Sequence, residues 1–133
     1  DWINGVAVEE LEQQYSSNNP WQGTISYGDI IRIVDGSRFH LRSAHQILTA
    51  LFPENADFLT ELDELLLRLE FGLPLDALGL TELRIPLERG QHLALYNAGY
   101  RTQEDIDNLS EQQLSELVGT VATMLLLPED DNP

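Results

Sequence analysis

The sequence contains no cysteine, no lysine and only one methionine. Without cysteine there are no disulfides and no thiolate metal sites, and the redox compartment leaves no mark, so the cytoplasm is the default location. Without lysine the phosphate-cradling loop Gly-x-x-x-x-Gly-Lys-Ser/Thr cannot be written. There is no apolar run of about 18 residues and no charged leader followed by an apolar segment, so neither a membrane span nor a secretory signal is expected. Nucleophile elbows and His-Glu-x-x-His are missing too. His40 and His45 sit five apart and would need a third partner to hold a metal, and His92 is isolated. Adjacent carboxylates such as Glu9 and Glu10, or Asp63 and Glu64, point apart on a helix. No metal site and no catalytic site is expected of this chain. It opens on Asp1 and Trp2 with no initiator methionine, which reads as a piece of a larger protein.

What is present is acid. A chain of 133 residues with 23 Asp and Glu against 7 Arg carries a net charge of −16. Hydrophobic residues make up 42% of it, too many for a disordered chain and enough for one domain or two small helical units. Long-range attraction to a polyanion is therefore weak or repulsive, and any nucleic-acid contact must rest on a few guanidinium groups. The acidity fits a salt-adapted habitat as well as it fits a partner.

One long stretch departs from this. Tyr27 to Ala50 sets Arg32, Arg38 and Arg42 against Asp29 and Asp35, a small positive excess. Ile30, Ile31, Val34, Leu41, Ile47 and Leu48 share one broad apolar face at the helical period, so the stretch reads as a helix. Ser26 with Asp29 supplies its capping start, and Gly36 is expected to interrupt it with a bend or a close backbone approach. Arg32 and Phe39, seven residues apart, project from the same side. A guanidinium suits phosphate and an aromatic ring suits a base, whereas the same spacing also fits Phe39 in the core and Arg32 in solvent.

The remainder also reads as helix. Val8 to Tyr15 is a short amphipathic helix, followed by a polar loop from Ser16 to Pro20 and a lead-in from Trp21 to Ile25. A second long helix, capped by Asn55 or Asp57, runs to a C-cap at Gly72, with Glu64 and Arg68 as a surface pair. Pro74 opens a short helix from Leu75 to Leu80. From Leu83 short helices follow compact turns. Glu88 to Ala98 closes at Gly99, Thr102 with Asp105 and Ser110 with Gln113 form capping boxes, and Thr120 to Leu127 follows Gly119. Gly23 to Tyr27 is too short and isolated to build a sheet. The expected fold is all-α, a helical bundle over residues 1–83, a helix-hairpin-helix-like module over 84–127 and an acidic tail over 128–133.

Asp-Trp-Ile-Asn at the start, Gly-Asp-Ile-Ile-Arg-Ile-Val from Gly28, and Leu-Tyr-Asn-Ala-Gly-Tyr-Arg-Thr-Gln-Glu-Asp-Ile from Leu95 carry a resemblance. Together they resemble the C-terminal helical region of superfamily-two DNA helicases, the archaeal relatives of the polymerase-theta helicase. The resemblance implies a "ratchet" helix lying across single-stranded DNA, here residues 27–50, with Arg32 as its arginine and Phe39 in place of its stacking Trp. Arg42 could extend the contact. It also implies a parent that binds ATP and Mg²⁺, works in DNA repair and packs its motor domains against this region. The family's Gly-x-Gly hairpin falls on Pro86, Leu87 and Glu88, where Pro86 lacks the backbone donor and Glu88 repels phosphate. Gly119 and Thr120 look like a second such hairpin, near Glu111 and Glu116, so this module reads mainly as a packing or docking unit. The alternative function is an acidic helical protein-interaction or autoregulatory module. Nothing in the sequence reads a 2′-hydroxyl, so RNA stays open beside DNA.

Overall fold

The computed structural model describes residues 1–16 and 23–127. Most of the expected polar loop after Ser16, the start of the lead-in at Trp21, and the acidic tail of residues 128–133 lie outside the described residues. The all-α expectation holds: among the described residues there are helices and turns and no strand. Seven α-helices follow in order among the described residues: α1 (Val8–Tyr15), α2 (Tyr27–Leu51), α3 (Ala56–Phe71), α4 (Arg89–Asn97), α5 (Gln103–Asp107), α6 (Glu111–Val118) and α7 (Thr120–Leu126). Two 3-10 stretches, Trp2–Asn4 and Leu75–Glu82, precede α1 and α4. None of the described helices is long and apolar enough to cross a membrane. The chain divides into two compact units, Asp1–Gly72 and Leu73–Pro133.

In the first unit α2 starts where its capping box predicts. The Ser26 backbone N–H donates to Asp29 Oδ2 at 3.0 Å, and the Asp29 N–H donates to Ser26 Oγ at 3.4 Å. Gly36 does not interrupt the helix, and nothing approaches within 4 Å of the place its Cβ would occupy. One glycine costs a helix only ~1 kcal/mol, and the contacts on either side outweigh it. Val34 is buried and Ile30, Ile31, Leu41 and Leu48 are half-buried, but Ile47, assigned to the same face, is exposed.

α3 folds back along α2. Arg38 pairs with Glu70 at 2.7 Å, while His45 Nε2 lies 3.0 Å from Asp63 Oδ1, so low numbers on one helix meet high numbers on the other. Asn55 is the N-cap of α3 without a side-chain bond, and Gly72 closes it in the left-handed conformation at φ 63°. Arg68 does not pair with Glu64. It reaches instead to the Ile3 carbonyl at 3.0 Å and Asn4 Oδ1 at 3.2 Å, and the Trp2 indole N–H donates to the Leu69 carbonyl at 2.8 Å. The N-terminal 3-10 turn is thereby clipped to the end of α3. On α1, Leu11 faces inward, and Glu12 accepts the Tyr27 N–H at 2.6 Å.

The second unit holds a dense apolar core. Leu73, Leu80, Leu95, Ile106, Leu114 and Leu126 are fully inaccessible. The stretch expected as a helix from Leu75 to Leu80 is a 3-10 helix reaching Glu82, and it buries Ala77 and Leu80. It belongs to this unit because it packs on α4. The capping boxes at Thr102/Asp105 and Ser110/Gln113 both form. Three donors on Asp105 (the N–H groups of Arg101 and Thr102 and the Thr102 hydroxyl) hold its carboxyl below the usual range. Arg84 fastens the far end: its guanidinium donates to both carboxylate oxygens of Asp107 at 3.0 Å and to the Leu126 carbonyl at 3.0 Å. Gly79 makes a close approach possible, since a Cβ there would lie 2.7 Å from the Arg101 carbonyl oxygen.

Candidate nucleic-acid interface

With 25 residues, α2 is about 37 Å long at 1.5 Å per residue. That length carries its outward residues as a row. Arg32 has 79% of its side chain in solvent, and Phe39 is 67% exposed. Phe39 is therefore no core residue; its ring lies edge-to-face with that of His40, with centroids 5.4 Å apart at 75°. A flat aromatic face left in water beside a guanidinium about 10 Å along the same helix is a surface that can stack a base and hold a phosphate, over a span of about three stacked nucleotides.

The structure also shows what each arginine touches. Arg32 is paired with Asp29 one turn before it, and the other oxygen of Asp29 serves the cap. Arg38 lies flat between Glu70 at 2.7 Å and Asp35 at 3.5 Å, with only 17% of its side chain exposed. Arg42 is 60% exposed and its guanidinium stands 3.9 Å from the same Glu70. Arg38 is thus a strut between α2 and α3, Arg42 leans toward that strut, and Arg32 is the guanidinium of α2 farthest into solvent. The Asp29–Arg32 spacing of three was visible in the sequence; the reach of Glu70 from another helix was not.

Gly119, between α6 and α7, and Thr120, the first residue of α7, lie in the second unit. Gly119 has φ 85° and ψ 158°, and its N–H donates to the Ser115 carbonyl at 3.0 Å, so that amide is committed within the protein. The Thr120 hydroxyl lies 3.2 Å from that of Ser115. Both residues line an open groove of about 530 Å³ together with Pro86, Leu87, Glu88 and Leu125. The two hairpins expected at separate points of the chain therefore meet in one groove. Its walls are mostly apolar and its charged group is a carboxylate, which suits protein side chains better than phosphate. Beside it α7 exposes Val121, Met124 and Leu125, a surface that sequence reading missed because the same residues also fit a buried helix.

No group of three or more His, Asp or Glu that could hold a metal ion occurs among the described residues. His92 is buried in α4, with Nε2 3.1 Å from the Leu80 carbonyl. A carbonyl can only accept, so Nε2 carries the proton, and burial pushes the imidazole pKa below its usual value.

Helices alone, with a long arginine-bearing helix ahead of a cluster of short ones, are what a helical region of a superfamily-two DNA helicase leads one to expect, and alignment bears that resemblance out. Over 124 residues, 93% of this chain, it is 30% identical to the ATP-dependent DNA helicase Hel308 of Pyrococcus horikoshii. Identity is 33% over 119 residues, 90% of the chain, with Hel308 of Thermococcus kodakarensis, and 27% over 124 residues with that of Pyrococcus abyssi. The chain spans 16%, 10% and 16% of the length of these relatives, respectively. No protein-family model matches it. The chain is homologous to a region of an ATP-dependent DNA helicase.

Proposed function

We propose that this chain is the C-terminal accessory region of an ATP-dependent DNA helicase and that α2 guides single-stranded DNA as a ratchet-like helix. The observation that carries the reading is the joint exposure of Arg32 and Phe39 on one side of a 25-residue helix. Arg32 holds a phosphate, Phe39 stacks a base, and Arg42 extends the grip at the edge facing α3. A strand drawn past them meets a contact that resists slipping back. The chain has no lysine with which to cradle a nucleoside triphosphate, so ATP and Mg²⁺ belong to motor domains elsewhere in the parent, which are this region's natural packing partners.

The test is binding of a fluorescent single strand to this chain across a salt series, wild type beside Arg32→Ala/Phe39→Ala. Weak binding that falls with salt is expected, with a slope near −0.7 per phosphate and only one or two phosphates engaged. Binding should vanish in the double variant. Unwinding by the full-length parent that is unchanged by the same two substitutions would defeat the reading. Running an RNA strand in parallel decides between the two nucleic acids.

A second reading has its own observation. The groove containing Glu88, Gly119 and Thr120 and the exposed Val121, Met124 and Leu125 of α7 fit a protein partner or the parent's own motor, making this an acidic interaction or autoregulatory module. Retention of a protein partner after nuclease treatment, together with no strand binding at low salt, would favour it.

A further inference from the structure

The cation that faces solvent on α2 is held by an anion of the same helix. Asp29 divides its carboxylate: Oδ2 accepts the Ser26 N–H at 3.0 Å and the Ser26 hydroxyl at 2.7 Å, and Oδ1 takes the Arg32 guanidinium. The cap fixes the carboxylate, so the anion beside Arg32 is not free to swing away. Resting on the reading that Arg32 meets phosphate, we infer that Asp29 is a positioning residue that competes with the strand for Arg32 and thereby sets how tightly α2 grips.

The physical argument is one of exchange. A phosphate arriving at Arg32 must displace, or share the guanidinium with, a carboxylate already in place, so the gain is the difference between two charge-assisted bonds rather than one whole bond. The Ser26 backbone N–H and hydroxyl, followed by Arg32 itself, hold the Asp29 carboxyl below the usual range, which keeps the competing charge present at neutral pH. The same device recurs along the helix, where Glu70 and Asp35 hold Arg38 and Glu70 stands beside Arg42. No guanidinium of α2 is offered to a ligand without a carboxylate in attendance. A contact that must release at every step benefits from a weak grip, and the pairing with Asp29 keeps Arg32 extended while lowering its affinity.

The experiment is a cycle on the whole chain with a fluorescent oligothymidylate at low salt, using wild type, Asp29→Asn, Arg32→Ala and Asp29→Asn/Arg32→Ala. Asn can still accept the Ser26 donors but brings no charge. Asp29→Asn is expected to tighten binding by roughly two- to fivefold, the order of one surface ion pair, and to have no effect once Arg32 is gone. Equal tightening in both backgrounds would show a general charge effect and overturn the inference. Weakening by Arg32→Ala without tightening by Asp29→Asn would also overturn it while leaving the strand contact standing. If Arg32→Ala changes nothing, the strand contact fails and the inference with it. Ser26→Ala, which removes a cap bond and leaves the charges in place, guards against a folding artefact: tightening there would assign the effect to the cap and overturn the role of Asp29.

Discussion

The two units differ in where they put their apolar side chains. In the first, Leu11 and Val34 are the buried hydrophobic residues among those described, while Ile33, Phe39, Ile47, Leu51, Phe52 and Phe58 are exposed along α2 and at the start of α3. In the second, seven apolar residues are fully inaccessible among the described residues, and they come from α4, α5, α6, α7, the 3-10 stretch and its lead-in, so nearly every element gives one to a common centre. The second unit is stabilised from within. The first is held by half-buried helix faces and by cross-links such as Arg38–Glu70 and Trp2–Leu69, and it leaves apolar surface for something outside itself.

The largest effects should come from truncating one residue of each kind. Leu95→Ala, in the centre of the second unit, should cost about 2–5 kcal/mol of unfolding free energy in urea titrations. Ile33→Ala, 65% exposed on α2, should stay within about 0.5 kcal/mol. Comparable losses at the two sites would break the contrast and mean that the first unit relies on its outward face even in isolation.

How far this arrangement could be read from the residues depends on distance along the chain. The capping boxes at Ser26/Asp29, Thr102/Asp105 and Ser110/Gln113 were legible because each is a bond between neighbours three residues apart, and Gly72 was legible because a left-handed C-cap needs no partner. Periodicity put Arg32 and Phe39 on one side of α2, and the structure then left that side in water. The groove joining Pro86–Glu88 to Gly119 was not legible, nor were the reach of Arg68 to Ile3 and the hold of Arg84 on Leu126. Those depend on which helices meet. Gly36 shows the opposite error: a local signal for interruption was overridden by packing on both sides of it.

A smaller effect is expected at Gly79. A methyl group there would press on backbone, the Arg101 carbonyl, rather than on a flexible side-chain end, so the 3-10 stretch or the turn before α5 would have to shift. Gly79→Ala should destabilise by about 1–3 kcal/mol, although the same change at Gly36, where nothing lies within 4 Å, should stabilise α2 by up to ~1 kcal/mol. Melting curves of the two variants would sharpen the comparison, because the tightly packed unit should reject the methyl group that the open helix accepts.

The smallest effect separates the units by pH. Burial lowers the pKa of His92, so the native state keeps the imidazole neutral in conditions where the unfolded chain takes up a proton. The unfolded state then binds more protons, and stability rises with pH across that window. The contribution is complete above the unfolded value of about 6.5 and is lost progressively as pH falls toward and through the lower native value. His92→Gln, whose amide can still donate to the Leu80 carbonyl, removes the titration. The wild type should therefore lose more stability than this variant between about pH 7 and pH 5. Hydrogen exchange should locate the loss in α4 and its neighbours and leave α2 and α3 unchanged. Parallel pH curves for the two proteins would mean that the imidazole reaches solvent in the native state, and the tight packing assigned to the second unit would fail at its buried histidine.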